Sequence, residues 1–222
     1  MSLVSPFFDH VVVSARTLDE GVAWCEAMLG IAPAAGGRHA LMGTHNRVFS
    51  MATPACPRAY FEIIAIDPQA PPPGRIRWYD LDDAALQAAL ARGPQLVHWV
   101  LGCDDIEDRC RRLADAGIDR GRVLDVERAT PEGPLAWRIS VRDDGARLAA
   151  GALPTLIQWG ARHPVDSLPP SGVTFESLRV AALPAAAASI CAAPCVDVVD
   201  EGPALTATLH TPRGRIELRS DP

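Results

Sequence analysis

The 222 residues carry 21 basic and 27 acidic side chains for a net charge of −6, with no basic run. Phosphate backbones need clustered Lys or Arg, so no nucleic-acid partner is expected. At 48% hydrophobic and 22% charged, the composition is that of an ordinary globular chain; it holds no run long enough to span a membrane and no signal-peptide layout at its start, so a cytoplasmic location without a membrane partner is expected.

In chain order, the β-branched run FDHVVVSA (residues 8–15) predicts a strand. TLDEGVAWCEAMLG follows with Leu18, Val22, Cys25 and Leu29 at helical spacing and Gly30 as a stop. The stretch AAGGRHALMGTHNR (34–47) reads as a glycine-loosened loop, and strands are predicted at NRVFSMA (46–52) and AYFEIIAID (59–67). PQAPPPGRIRWYD reads as an exposed connection and DDAALQAALARG as a helix packed outside the sheets.

From residue 96 the pattern returns. LVHWVLGC (96–103) predicts a strand with a histidine at its third position, and DDIEDRCRRLADAG an amphipathic helix with Ile106, Cys110 and Leu113. Strands follow at RVLDVER (122–128), LAWRISVRD (135–143) and LPTLIQWG (153–160). His10 to Gly30 spans 20 positions and His98 to Gly117 spans 19, so a βαβββ unit occurs twice. After the proline-rich HPVDSLPPSG, a third and degenerate copy runs from TFESLRVAA to GRIELRS, with Ser177 where the others have histidine. The expected fold is α+β: tandem βαβββ modules over 7–67 and 95–160, curved mixed sheets around a cavity, a connecting segment with a helix over 68–94, and a degenerate C-terminal module over 173–220. The six cysteines form no CxxC pair, which favours reduced thiols.

Side chains alternate faces along a strand. By parity His10 shares a face with Phe8 and Val12, Glu62 with Tyr60 and Ile64, His98 with Leu96 and Val100, and Gln158 with Leu156. Each is a polar residue in an apolar row, which costs a few kcal/mol unless it is satisfied. First and last strands of the two copies thus supply His10 with Glu62 and His98 with Gln158, and imidazole and carboxylate suit a divalent transition metal. The plainer alternative is a set of core histidines bonded to backbone or to the glutamate, with Glu62 paired to Arg38 or Arg138.

The repeat, carried by DHVVVSARTLDEGVAW, GGRHALMGTHNR, YFEIIAIDP and LPTLIQWG, resembles the vicinal oxygen chelate superfamily and its glyoxalase-like domain proteins, over residues 7–160 above all. The resemblance implies metal ligands from the first and last strands of paired modules, here His10, Glu62 and His98, with Zn, Ni, Mn or Fe as the ion. Gln158 departs from the glutamate many metalloenzymes of the superfamily carry, which leaves Glu62 as the sole catalytic base. The implied activity is metal-assisted lyase, isomerase or dioxygenase-type chemistry on a small anionic or oxygen-rich metabolite. The alternative is a metal-free binding or sequestration protein of the bleomycin-resistance kind. Gly36, Gly37 and Gly43 would let backbone amides approach the ligand, with Arg38, His39, His45 and Asn46 lining it, and Trp78, Arg138 and Gln158 as further substrate-binding candidates. Both modules lie in one chain, so the cavity is expected within a monomer, and a homodimer is optional.

Overall fold

Three successive valines make β1 (Phe7–Ser14) the central strand of a sheet apolar on both faces. The computed structural model describes residues 6–221; the leader-free reading of the start falls partly on residues 1–5, outside the described residues. The first unit continues with α1 (Leu18–Leu29), β2 (Ala34–His39), β3 (Thr44–Ser50) and β4 (Tyr60–Ile66). After α2 (Ala84–Leu90) the order repeats as β5 (Gln95–Gly102), α3 (Ile106–Asp115), β6 (Arg122–Arg128), β7 (Leu135–Val141) and β8 (Thr155–Trp159). All eight strands join one sheet in the order β2-β3-β4-β1-β5-β8-β7-β6. In each unit the first strand pairs in parallel with the last, and the units meet where β1 and β5 run antiparallel. The sheet curls until β2 and β6, its two edges, approach one another.

Local chemistry sets the helix ends. Thr17 caps α1 by accepting a hydrogen bond from the Glu20 amide, and Gly30 closes it at φ 77°, a conformation glycine adopts without steric cost. Gly21, rather than Val22, is the buried contact: a Cβ there would lie 2.4 Å from Ile63 Cγ2. Asp83 caps α2 through the Ala85 and Leu86 amides.

The outer face of the sheet packs against α1, α3 and a second sheet in one continuous core, which includes Val11, Leu29, Phe61, Trp99, Leu156 and Phe175. Each such large side chain contributes roughly 1.5–3 kcal/mol by leaving water. The second sheet is built from β9 (Thr174–Ala181), α4 (Ala185–Ala188), β10 (Val196–Val199), β11 (Leu205–Thr211) and β12 (Gly214–Arg219). It has the βαβββ element order of the other two units. Its pairing differs: β9 lies between β10, to which it is parallel, and β11, giving β10-β9-β11-β12.

On the inner face the connecting segment does the filling. Trp78, Tyr79, Leu81, Leu86 and Leu90 pack onto Val12, Ile64, Val97 and Val100. The helix α2 therefore covers the inside of the curl, and the segment read as an exposed connection supplies core.

Strand parity holds on β4, where Tyr60, Glu62 and Ile64 face inward and Phe61 and Ile63 outward. Irregularities shift it on β1 and β5. The register slips between Phe8 and His10, and between Val12 and Val13 against β5. Phe8 and Leu96 consequently join the outer core, on the face opposite His10 and His98. A bulge adds a residue and reverses alternation beyond it.

Candidate functional site

Where the inner face is not filled, a narrow cavity of about 40 Å³ remains between the two halves of the curl. Its polar lining is His10, His39, Asn46, Tyr60, Glu62 and Arg128, with Trp78, Trp137 and Trp159 among its aromatic walls.

A hydrogen-bonded row organises one wall. Asp9, 0% exposed, has Oδ1 2.6 Å from His10 Nδ1. Its Oδ2 accepts from Trp159 Nε1 at 2.8 Å and from His163 Nε2 at 3.1 Å. His163 Nδ1 accepts from the Val165 amide, which puts that ring's proton on Nε2. The far side of the His10 ring faces Glu62, with Nε2 3.6 Å from Oε2, an ion-pair distance. Glu62 Oε1 accepts from Asn46 Nδ2 at 2.6 Å.

The charges follow from these partners. Burial disfavours a charged His10, but the hydrogen bonds and charges of Asp9 and Glu62 prevail and push its pKa up to about 9. Burial equally opposes ionisation of Asp9; the nearby His163 and the bonds from both rings hold it well below the usual carboxylate range. Glu62 is lowered too, against its burial, by His10 and by the Asn46 amide. His39 goes the other way, since burial pushes it down to about 4. It is a neutral ring whose Nδ1 meets Thr44 Oγ1 at 3.0 Å and whose Nε2 faces Asn46 Nδ2 at 3.4 Å. At neutral pH the cavity thus holds a charged imidazolium between two carboxylates.

Residues 34–47 form a hairpin of β2 and β3 rather than a loop, with His39 opposite Thr44 and Arg38 opposite His45. Alternation sends His39 and Asn46 into the cavity and Arg38 and His45 away from it. Arg38 is exposed, donates to Gln69 at 2.7 Å and sits 3.5 Å from Asp67; His45 is 4.0 Å from the same carboxylate. The glycines serve side chains, not a backbone approach to ligand. Asn46 Oδ1 accepts from the Gly37 amide at 2.6 Å, and a Cβ on Gly36 would stand 2.0 Å from that oxygen and 2.5 Å from the Asn46 carbonyl. Gly36→Ala is expected to lower stability by about 1–3 kcal/mol, read from urea unfolding, and to release Asn46 from Glu62.

The structure does not bring His98 or Gln158 to this cavity. His98 Nε2 accepts from the Thr155 amide at 3.1 Å and meets Thr155 Oγ1 at 3.0 Å, and burial pushes its pKa well down. The Tyr79 ring covers it at 4.8 Å. Tyr79 and Asp80 both have left-handed backbones, φ 60° and 59°, a strain of order 1 kcal/mol or more each. Arg147 secures the turn by donating to both Asp80 oxygens. Gln158 shares Leu156's face, as parity predicts, but that face is the outer one: its Oε1 accepts from the Ile106 amide of α3 at 3.3 Å. Arg138 lies on the same side, paired with Glu107 and Asp125. Of the ten candidates, His10, His39, Asn46, Glu62 and Trp78 line the cavity. Arg128 and Trp159 also line it, and Asp9 and His163 bond behind its wall, all without a sequence signal, whereas Tyr60 has one, its shared parity with Glu62.

These donors do not fit the expected divalent ion. His10 Nε2 and Glu62 Oε2 face each other at 3.6 Å, and Asp9 on Nδ1 is a partner that ligating imidazoles commonly have, but two donors alone do not complete a site. The third expected ligand, His98, has its Nε2 bonded to Thr155 and lines a separate small hollow. No group of three His, Cys, Asp or Glu side chains with metal-binding geometry occurs among the described residues.

Comparison with known proteins agrees with this architecture. Among solved structures, the chain is similar to a hypothetical protein from Staphylococcus aureus, at TM-score 0.56 and 15% identity over 98% of this chain and 87% of that one. A methylmalonyl-CoA epimerase variant from Streptomyces coelicolor, in complex with 2-nitronate-propionyl-CoA, aligns at TM-score 0.43 and 20% identity over 73% of this chain and 99% of its own. A hypothetical protein from Bacillus halodurans aligns at TM-score 0.40 and 11% identity, over 72% and 97%. No curated protein matches the chain. The glyoxalase-like domain family model matches residues 8–194. With the paired units of the curled sheet, that match makes the chain a member of the glyoxalase-like domain family, within the vicinal oxygen chelate superfamily.

Proposed function

We propose that the cavity binds a small oxygen-rich acid and moves a proton at the carbon beside its carbonyl, in the manner of an isomerase or lyase. The observation that carries this reading is the row Asp9–His10–Glu62–Asn46, which opens on the cavity at the 3.6 Å gap between imidazolium and carboxylate. Glu62 is ionised and able to accept a proton; Asn46 fixes one of its oxygens and leaves the other toward the gap. His10 presents a charged Nε2–H to a substrate oxygen, where it stabilises the negative charge that proton removal creates. Asp9 accepts from Nδ1, orients the ring and keeps it charged.

A second reading, binding without turnover, is favoured by one observation. His10 and Asn46 hold the Glu62 carboxyl below the ordinary glutamate range, which weakens it as a base. Incubating the protein with 2-oxo and 2-hydroxy acids in D₂O, followed by proton NMR, separates the two. Proton abstraction predicts loss of the signal beside the carbonyl, slowed at least about 100-fold in Glu62→Gln. Saturable binding with no exchange contradicts turnover and favours sequestration.

A further inference from the structure

Arg128 ends β6 at one edge of the sheet, and its guanidinium crosses to lie on Gly37 of β2 at the other. A Cβ on Gly37 would fall 1.4 Å from Nη1, so only glycine leaves room for this crossing. Nε and Nη1 are buried, and neither has a hydrogen-bond partner among the described residues. Trp78 lines the same cavity, and its buried Nε1 is likewise unpartnered. Two other cavity donors already have acceptors: His10 Nδ1 is bonded to Asp9, and Asn46 Nδ2 to Glu62.

Arg128 also stands at a junction. Beyond it lies an outer chamber of about 380 Å³, lined in part by Thr130, Arg162 and His163. Val48, Arg128, Leu135 and Pro164 border both spaces and form the neck between them. Arg162 is already engaged, donating to the Glu132 carbonyl at 2.7 Å with that residue's carboxylate 4.0 Å away. The neck therefore offers one uncommitted guanidinium. A planar fork matches a carboxylate, and a single positive charge matches a monoanion better than a phosphate dianion.

We propose that Arg128 is the carboxylate receptor of this site. The ligand is a small organic monoacid whose carboxylate docks at the neck, with its reactive carbon in the inner cavity and the rest of the molecule in the outer chamber. This rests on the acid-binding part of the proposed function and not on proton transfer.

The test is thermal unfolding of wild type, Arg128→Leu, Arg128→Lys and Glu62→Gln. The probes are sodium pyruvate, lactate and 2-oxobutyrate, with lactamide and sodium chloride as the uncharged and simple-anion controls at matched ionic strength. At least one carboxylate is expected to raise the wild-type Tm by about 2–4 °C over chloride, while lactamide does not. Arg128→Leu loses that response and, in chloride, unfolds at a higher temperature than wild type. Arg128→Lys keeps the charge without the fork and needs several-fold more ligand; it supplies the answer if the leucine variant does not fold. Glu62→Gln retains the shift, so failure of proton transfer leaves the receptor standing. Carboxylates that shift wild type no more than chloride does, or that shift Arg128→Leu equally, overturn the assignment.

Discussion

Asp9→Ala is expected to remove about 3–5 kcal/mol of folding stability, the usual consequence of stripping one partner from a buried charged network. Three donors converge on this carboxylate: the rings of His10 and His163 and the indole of Trp159. Once it is gone, three buried N–H groups have lost their acceptor, and His10 keeps only the more distant Glu62. With total stabilities of about 5–15 kcal/mol for domains of ordinary size, such a loss brings the protein close to unfolding at body temperature. Urea unfolding at neutral pH measures it, as a large drop in midpoint at unchanged slope. A loss of under about 1 kcal/mol would show that the network is not formed.

The second large effect is a stability maximum near pH 6.5. His10 is raised from 6.5 to about 9, so its contribution is complete below pH 6.5 and is lost as pH rises through 9. One proton sets the slope there, at about 1.4 kcal/mol per pH unit. His39, lowered to about 4, and His98, which burial also pushes well down, act in the opposite sense. Both are buried neutral, so stability falls as pH drops below 6.5 and the unfolded chain takes up their protons. Above about pH 8.5, thiols that burial pushes up to about 12, such as Cys25 and Cys103, add to the alkaline loss. The window from pH 6.5 to 8 isolates His10. His10→Gln is expected to flatten the slope within it, as read from urea midpoints across that range.

The repeat was legible because periodicity survives sequence drift. Two strand–helix–glycine passages placed β1, α1, β5 and α3, and parity grouped Glu62 with Tyr60 and Ile64 on one face. What failed was whatever depends on irregularity or on partners distant in sequence. The bulges at Phe8 and near Leu96 leave no mark in residue type, because the outer core accepts Phe and Leu as readily as the inner one. Gln158 shows the limit of parity: alternation names residues that share a face, and only packing says which face. The segment at 34–47 read as a loop because Gly36 and Gly37 depress strand propensity. They are glycines because Asn46 and Arg128 lie across them. Arg128 reaches the cavity through curling and His163 reaches Asp9 through a linker, neither of which a single strand pattern records. The aromatic plug at Trp78 and Tyr79, which separates His98 from His10, depends on two left-handed residues that carry no glycine signal.

A charged histidine sits between two carboxylates at the cavity wall. A nitrogen-15 NMR titration of the imidazoles, with His10 assigned by His10→Gln, tests it most directly. His10 is expected to titrate near pH 9 and to move down in Glu62→Gln, while His39 stays neutral down to about pH 4. A His10 resonance titrating at or below 6.5, the ordinary histidine value, would contradict it.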